Sequence, residues 1–163
     1  MNVIIETTKR SRNKIDYEPE LGVFELAGVL PKGSVFPYDF GFIPSTRGED
    51  GDPLNVLILM DESAATGCLL SARLIGVLEA NQTEKDGQVM RNDRLLAVAT
   101  RAHTHSHVNY LKDLRPQMTE EVEHFFVSYN ETKGKQFQPL RRSRPEEAVD
   151  LVRVGMKRFQ DHR

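Results

Sequence analysis

Apolar residues along the first two thirds of this chain fall in short runs of strand length divided by turn residues, with alternation clearest in one of them, the pattern of a buried sheet. "NVIIE" (2–6) predicts an opening strand. "VFELAGVLP" (23–31), with Val23, Phe24 and Leu26, predicts another that ends at Pro31-Lys32-Gly33. "LNVLILM" (54–60), "CLLSARLIGVLEA" (68–80) and "DRLLAVAT" (93–100) predict three more, with "DESAATG" and "NQTEKDGQVMRN" as turn-rich spacers. This spacing suits an antiparallel sheet, closed or nearly closed.

The period then lengthens to that of a helix. Thr119 is placed to cap "EEVEHFFVSY" (120–129), where Glu120, Glu121 and Glu123 put negative charge in the first turn. "SRPEEAVDLVRVGMKRF" (143–159) predicts a second helix: Pro145 fits its first turn, and Ala148, Leu151, Val152 and Met156 fall along one face. His124, Phe125 and Phe126 read as core and interface, and "LRRSR" (140–144) as a solvated lead-in to the last helix. Strands followed by two helices predict a mainly β, α+β fold: a small barrel with helices packed outside it. No internal repeat, low-complexity tract or linker divides residues 1–163, so one domain is expected.

Composition narrows the function classes. At 163 residues, with 39% hydrophobic and 28% charged positions, the chain has the means to build a core and is not a disordered segment. A net charge of −2 offers no general basic face, so no nucleic-acid partner is expected. Glu6 interrupts the only apolar start, and no run approaches the ~20 residues of a membrane span, so a cytoplasmic protein with no membrane partner is expected. The single cysteine, Cys68, excludes an intrachain disulfide and reads as a small core residue.

The candidate chemistry starts at "GEDGDPLNV" (48–56). Asp50 and Asp52 share a face if extended, and Gly51 lets the backbone bend close to a ligand. Two readings stand: a turn rich in Asp and Gly, or an oxygen site for hard Mg²⁺, with Mn²⁺ as a substitute. Asp86 and Asp93 flank a turn that could return them to the same strand ends, and Lys9, Arg10, Arg12 and Lys14 supply opposite charge. Carboxylates beside cations are what phosphoryl transfer needs, and no P-loop is present to do it otherwise. "HTHSH" places His103, His105 and His107 on one face if extended, as Zn²⁺ or Ni²⁺ ligands would require; a polar loop or subunit contact is the preferred reading, because no acid or cysteine completes the set.

"EDGDPLNV" resembles the signature of the family I soluble inorganic pyrophosphatases, an acid-x-acid-Pro-apolar-acid-apolar pattern. "NVIIE", "RNKIDYEPELGVFEL", "VFPYDFGFIP", "GCLLSARLIGVLEA", "RNDRLLAVA" and "HFFVSYNETKGKQF" resemble that family in the same order, over almost the whole chain. The resemblance implies an OB-like, five-stranded closed barrel with two C-terminal helices, a homo-oligomer with a hexamer favoured, and Mg²⁺-dependent hydrolysis of inorganic diphosphate. It implies Asp50, Asp86 and Asp93 as metal ligands with Glu6 at the rim, Asp52 assisting the nucleophilic water, Lys14 gripping phosphate, and Asp16 and Tyr129 in the substrate site.

Five positions depart from that pattern. Asn55 stands where the family places a third carboxylate; its carbonyl can still ligate one ion, but it brings no charge. Gly28 takes the place of a phosphate-binding Arg or Lys, Phe40 that of a tyrosine, and Leu95 and Asn130 those of lysines. A related group within the family carries the changes at Phe40 and Asn130 as normal features. Arg12 and Arg91 are the expected compensating cations, Arg91 by strand alternation with Asp93. Asn55 and Gly28 leave a second reading open, a catalytically weakened relative that binds a phosphate ligand or serves as an assembly subunit. A third, an OB-type nucleic-acid binder, rests on architecture alone.

Overall fold

The computed structural model describes residues 1–162. Nine strands, β1 (Asn2–Thr7), β2 (Asn13–Glu18), β3 (Val23–Val29), β4 (Asp39–Phe42), β5 (Asn55–Leu59), β6 (Leu69–Thr83), β7 (Val89–Arg91), β8 (Arg94–Ala99) and β9 (Gln136–Ser143), are joined by two α-helices, α1 (Pro116–Glu131) and α2 (Pro145–Asp161). Strands β1, β4, β5, β8 and β6 are hydrogen-bonded in that order, and β6 returns to β1 through Asn2↔Ser71, Val3↔Leu70 and Ile4↔Leu69. That pairing closes a ring of five strands, as expected for an OB-like barrel.

The ring is not wholly antiparallel, which corrects the expected sheet. β5 and β8 run parallel, from Val56↔Leu95 to Leu59↔Val98. β8 is fixed antiparallel to β6 and inserts between β6 and β5, so β6 sets its direction. At 15 residues, β6 is long enough to serve β1, β8, β7 and β9 in turn. Its curl passes Gly76, where a β-carbon would stand 2.5 Å from Leu111 Cγ and 2.6 Å from the Ser143 carbonyl, so only glycine fits.

Alternation along β5 and β8 feeds two cores. Leu57, Leu59, Leu96 and Val98 join Phe36, Phe40, Phe126 and Phe137 on the side covered by α1. Val56, Ile58, Leu95 and Ala97 join Val3, Ile5 and Ala148 on the side covered by α2. Each large apolar side chain buried this way contributes about 1.5–3 kcal/mol, which holds the strand register that positions the polar residues at their ends.

Several local expectations change. α1 begins at Pro116, and Thr119 lies inside it, its hydroxyl donating to the Pro116 carbonyl at 2.9 Å. In α2 the buried stripe runs through Ala148 and Gly155, while Met156 is 45% exposed, because seven residues nearly complete two turns and eight overshoot them. "LRRSR" largely belongs to β9, paired with β6 through Val77↔Ser143, Leu78↔Arg142 and Glu79↔Arg141. Cys68 is exposed: its backbone binds Ile5 and Ala65 across the barrel's end while the side chain faces out. The "HTHSH" segment is a set of turns, not an extended run, and among the described residues its histidines are not part of any group able to hold a metal ion. Among the described residues no helix is long and apolar enough to cross a membrane.

Candidate active site

The β2–β3 hairpin pairs only with itself and meets β1 beside the barrel, which brings Glu6, Lys14 and Asp16 together. The Lys14 ammonium pairs with Asp16 and lies 5.0 Å from the centre of the Phe40 ring. Phe40 is therefore a buried platform for Lys14, and a cation over an aromatic face is stabilised by the ring quadrupole. Glu6, 6% exposed, accepts the Tyr17 amide at 2.9 Å. Burial pushes its carboxyl up to about 7, with Asp16 and Asp52 adding to the rise and the Tyr17 amide and Lys14 opposing it.

The acidic loop is a tight turn. Gly48 donates to the Asp52 carbonyl at 2.7 Å, the Asp52 amide donates to Asp50 Oδ1 at 3.1 Å, and Gly51 takes a φ of 93°. The Asp-Gly turn of the first sequence reading is thus formed, with Asp52 close enough to Glu6 and Asp16 to couple with both. Asp52 is held above the usual carboxylate range, first by lost solvent and then by Asp50 and Asp16, while Arg47 and Lys135 pull it back.

Asn55 opens β5 just beyond the loop, and its Oδ1 accepts Arg94 Nη1 at 2.7 Å. Arg94 is 7% exposed, its guanidinium carbon 4.8 Å from the Phe126 ring centre and 5.9 Å from that of Phe137. Burial lowers its pKa to about 10 against the pull of Asp50, Tyr129, Asp93 and Asp52. The sequence reading missed this residue and looked instead at Leu95, which is 2% exposed and packs into the α2-side core. A charged residue starting an otherwise apolar strand was the available signal, since burial of a cation demands partners.

The expected trio of Asp50, Asp86 and Asp93 does not form. The β6–β7 ladder runs out to Thr83↔Val89 and carries Asp86 to an exposed turn, where it accepts the Gln88 amide at 3.0 Å. Asp93 Oδ1 accepts the Ala80 amide at 3.0 Å and Arg91 Nε at 2.6 Å. Arg91 also pairs with Glu79, which in turn binds Arg141 and Ser143, so Arg91 is committed to the barrel wall. Arg12 is committed too, its Nη2 donating to the Leu30 carbonyl at 2.9 Å. Among the described residues no three acids, histidines or cysteines are grouped closely enough to hold a metal ion.

Beside the acids lies a cleft of about 350 Å³ lined by Lys14, Gly28, Tyr129, Thr132 and Lys133. Tyr129 stacks on Phe125, with centroids 5.6 Å and planes 15° apart, and meets Phe36 edge-on at 5.7 Å. These rings fix the phenol, yet its buried hydroxyl has no hydrogen-bond partner. Burial and then Asp16 push the phenol up to about 12, so it stays a proton donor at neutral pH. Asn130 is turned away, donating to the Phe126 carbonyl at 2.8 Å, but Lys133 lies 4.2 Å from the centre of the Tyr129 ring and brings a cation there. Lys133, unremarked in the sequence, is lowered by burial and then by Lys14. A β-carbon on Gly28 would meet nothing within 4 Å.

Glu6, Asp16, Asp50 and Asp52 thus form an acidic lobe, Lys14 and Lys133 line the adjoining cleft, and Arg94 is buried against Asn55 at the start of β8. Such a division suits a ligand rich in anionic oxygen together with a cation.

Known proteins resemble this chain in sequence and in fold. A family model described as inorganic pyrophosphatase matches residues 3–160. An inorganic pyrophosphatase of Nostoc is 34% identical over 160 residues, covering 98% of this chain and 92% of its own. Soluble inorganic pyrophosphatase 1 of Arabidopsis thaliana is 31% identical over 162 residues, covering 99% of this chain and 74% of its own. The crystal structure of inorganic pyrophosphatase from Thermus thermophilus superposes with a TM-score of 0.88 at 29% identity, covering 98% of this chain and 91% of that one. That from Helicobacter pylori gives 0.89 at 29%, covering 98% and 93%. With a matched fold, a matched length and an acidic loop facing a cationic cleft, this chain belongs to the inorganic pyrophosphatase family.

Proposed function

We propose that this chain hydrolyses inorganic diphosphate to two phosphates. The observation that carries the reading is the cleft beside the acidic lobe, in which the Tyr129 hydroxyl and the Lys14 and Lys133 ammonium groups offer donors to an anion. In-line attack forms a bond from water oxygen to one phosphorus and breaks the bridging P–O bond, whose electrons leave with the second phosphate. Asp52 orients the water and takes up its proton. Lys14 and Lys133 offset charge on the phosphoryl oxygens, and Tyr129 donates to one of them.

The family likeness implies Mg²⁺, with Mn²⁺ as a substitute. The acidic lobe fits a hard divalent ion: its donors are all oxygen, and burial, then Asp50 and Asp16, push Asp52 upward despite Arg47 and Lys135, so an added cation there would be favourable. Asp50 and Asp52 would hold such an ion with Glu6 behind them, and when bound it would supply Lewis acidity to the water and the phosphate. Asn55 does not fit as a ligand, because its oxygen is engaged by Arg94. Exposed Val23, Leu26 and Val29 along β3 support a homo-oligomer, in keeping with the hexamer expected.

The engaged Asn55 favours a second reading, a weakened relative that binds diphosphate without rapid turnover. Phosphate release from diphosphate across a wide Mg²⁺ range decides between them. The hydrolase reading expects release that Asp52→Asn abolishes. Tight binding of methylenediphosphonate with no release at any Mg²⁺ concentration would establish the binder instead.

A further inference from the structure

We infer that position 55 of this chain takes no metal ion and that Arg94, a guanidinium buried at the start of β8, supplies the positive charge beside the acidic loop instead. The inference deepens the diphosphate reading and rests on it only for the identity of the anion. Asn55 has one oxygen able to ligate a metal, and that oxygen accepts Arg94 Nη1 at 2.7 Å. The amide's other polar atom is a donor and repels cations. Arg94 is held where it is: its backbone lies in the β6–β8 ladder at Leu78↔Arg94, and its planar head rests on Phe126 and Phe137. Its Nε is buried and has no acceptor, so the fold leaves part of that cation's capacity unspent.

The other groups near Arg94 agree. Asp93, the nearest acid by sequence, is tied to Arg91 and to the Ala80 amide. Asp50 and Asp52 feel Arg94 electrostatically, but neither carboxylate pairs with it, and Asp50 turns an oxygen within the acidic loop to accept the Asp52 amide. A divalent ion drawn to position 55 would meet a guanidinium already seated there, and like charges at close range exclude one another. The chain therefore substitutes a fixed monovalent cation for one mobile divalent ion, and it needs fewer ions to reach its binding-competent state.

A consequence separates this idea from a simple loss of charge. If Asn55 were merely a missing ligand, Asn55→Asp would rebuild the metal position. If Arg94 occupies it, the new carboxylate pairs with the guanidinium and gains no metal. Mn²⁺ titration calorimetry on the full chain, without diphosphate, reads the difference. Asn55→Asp should bind Mn²⁺ within about threefold of the natural protein, because the guanidinium neutralises the added carboxylate. Asn55→Asp combined with Arg94→Gln should bind at least about tenfold more tightly, or take one more ion per chain, since the pair acts as a unit.

Tighter binding by Asn55→Asp alone, tenfold or more, would overturn the inference, as would no gain in the double variant. Should the double variant not fold, the melting temperature of Asn55→Asp in EDTA decides: a rise is expected, because a buried guanidinium acquires a counter-ion, and a fall rejects the pairing. None of these measurements contains substrate, so their failure leaves the hydrolase reading standing, whereas absent phosphate release would remove that reading and leave this one.

Discussion

Gly155 of α2 lies directly against Leu54, the residue that carries the acidic loop into β5: a β-carbon on Gly155 would stand 2.7 Å from Leu54 Cδ1 and 3.3 Å from Thr46 Cβ. The same turn of helix accepts the Arg47 amide at 2.9 Å through the Gly155 carbonyl. The last helix therefore sets the height of the loop that holds Asp50 and Asp52, although it contributes no side chain to the cleft. Gly155→Ala gains about 1 kcal/mol of helix propensity and loses about 1–3 kcal/mol to overpacking, a net loss on the order of 1 kcal/mol. Gly155→Val should cost more, because its branch adds volume and lowers propensity. Urea denaturation measures both, and a lower affinity for Mn²⁺ in the folded Gly155→Ala protein would show that the loop has moved.

The Tyr129 hydroxyl separates function from stability. It is buried, without a partner, and held by Phe125 and Phe36. Removing an unsatisfied polar atom relieves a desolvation cost of about 1–3 kcal/mol, so Tyr129→Phe should fold at least as stably as the natural chain. Loss of one hydrogen bond to a charged phosphoryl oxygen, worth about 1.5–3 kcal/mol, should weaken methylenediphosphonate binding about tenfold or more. Thermal melts and calorimetry on the one variant test the two halves, and unchanged binding would place the phenol outside the ligand's reach.

How far this was legible in the sequence depended on whether a residue's face could be counted. Val56, Leu57, Ile58 and Leu59 form an apolar run of strand length between polar turns, so this part of the barrel wall declared itself although both its faces are buried. β9 did not: of "QFQPLRRS" only Phe137 is buried, and its arginines reach Glu79 and Glu123 instead of a core. β4 failed in the opposite way, with all four residues of "DFGF" buried and no period to read. Lys14, Asp16, Glu6 and Asp52, which the fold brings together, stood out in the sequence because they sit in matched motifs. Arg94 and Lys133 did not, since matching by string position pointed to Leu95 and Asn130 and only the fold shows which face each occupies. Asp86 was misplaced because the length of the β6–β7 ladder, not its turn residues, decides how far the hairpin tip stands from the cleft.

The turns at residues 103–107 carry a pH dependence of known sign. His105 Nδ1 is buried without a partner, and the imidazole's pKa is lowered, first by burial and then by His107 and Lys9, with Asp61 opposing. Asp61 also pins these turns by accepting the His103 and Thr104 amides at 2.7 and 2.8 Å. A histidine whose folded pKa lies below its unfolded value near 6.5 contributes stability that is present above that value and lost as pH falls through the folded pKa. His105 therefore contributes a fall in melting temperature between pH 7 and 5, against Glu6, whose carboxyl held up to about 7 contributes a rise over the same range, so His105→Gln should shift the profile toward higher stability at pH 5 relative to the natural chain. An unchanged profile in the variant would assign the dependence to another group.

Gly28 is the last open place in the cleft, and it is open in a specific way. It pairs with Lys14 across the β2–β3 ladder, so a side chain there would project on the Lys14 face, and its β-carbon would meet nothing within 4 Å. Gly28→Arg should therefore fold with a stability change of about 1 kcal/mol or less, a gain from replacing a strand glycine set against repulsion from Lys14. Added to Lys14 and Lys133, a guanidinium at that site should strengthen methylenediphosphonate binding about tenfold at low salt through one charge-assisted contact. Because the residue stands at the solvent edge of the cleft, the gain should shrink as ionic strength rises past about 0.15 M, where the screening length is about 8 Å. Calorimetry at two salt concentrations reads both effects. A folded Gly28→Arg protein that binds no better at low salt would show that the anion sits on the Arg94 and Tyr129 side and never reaches the β3 wall.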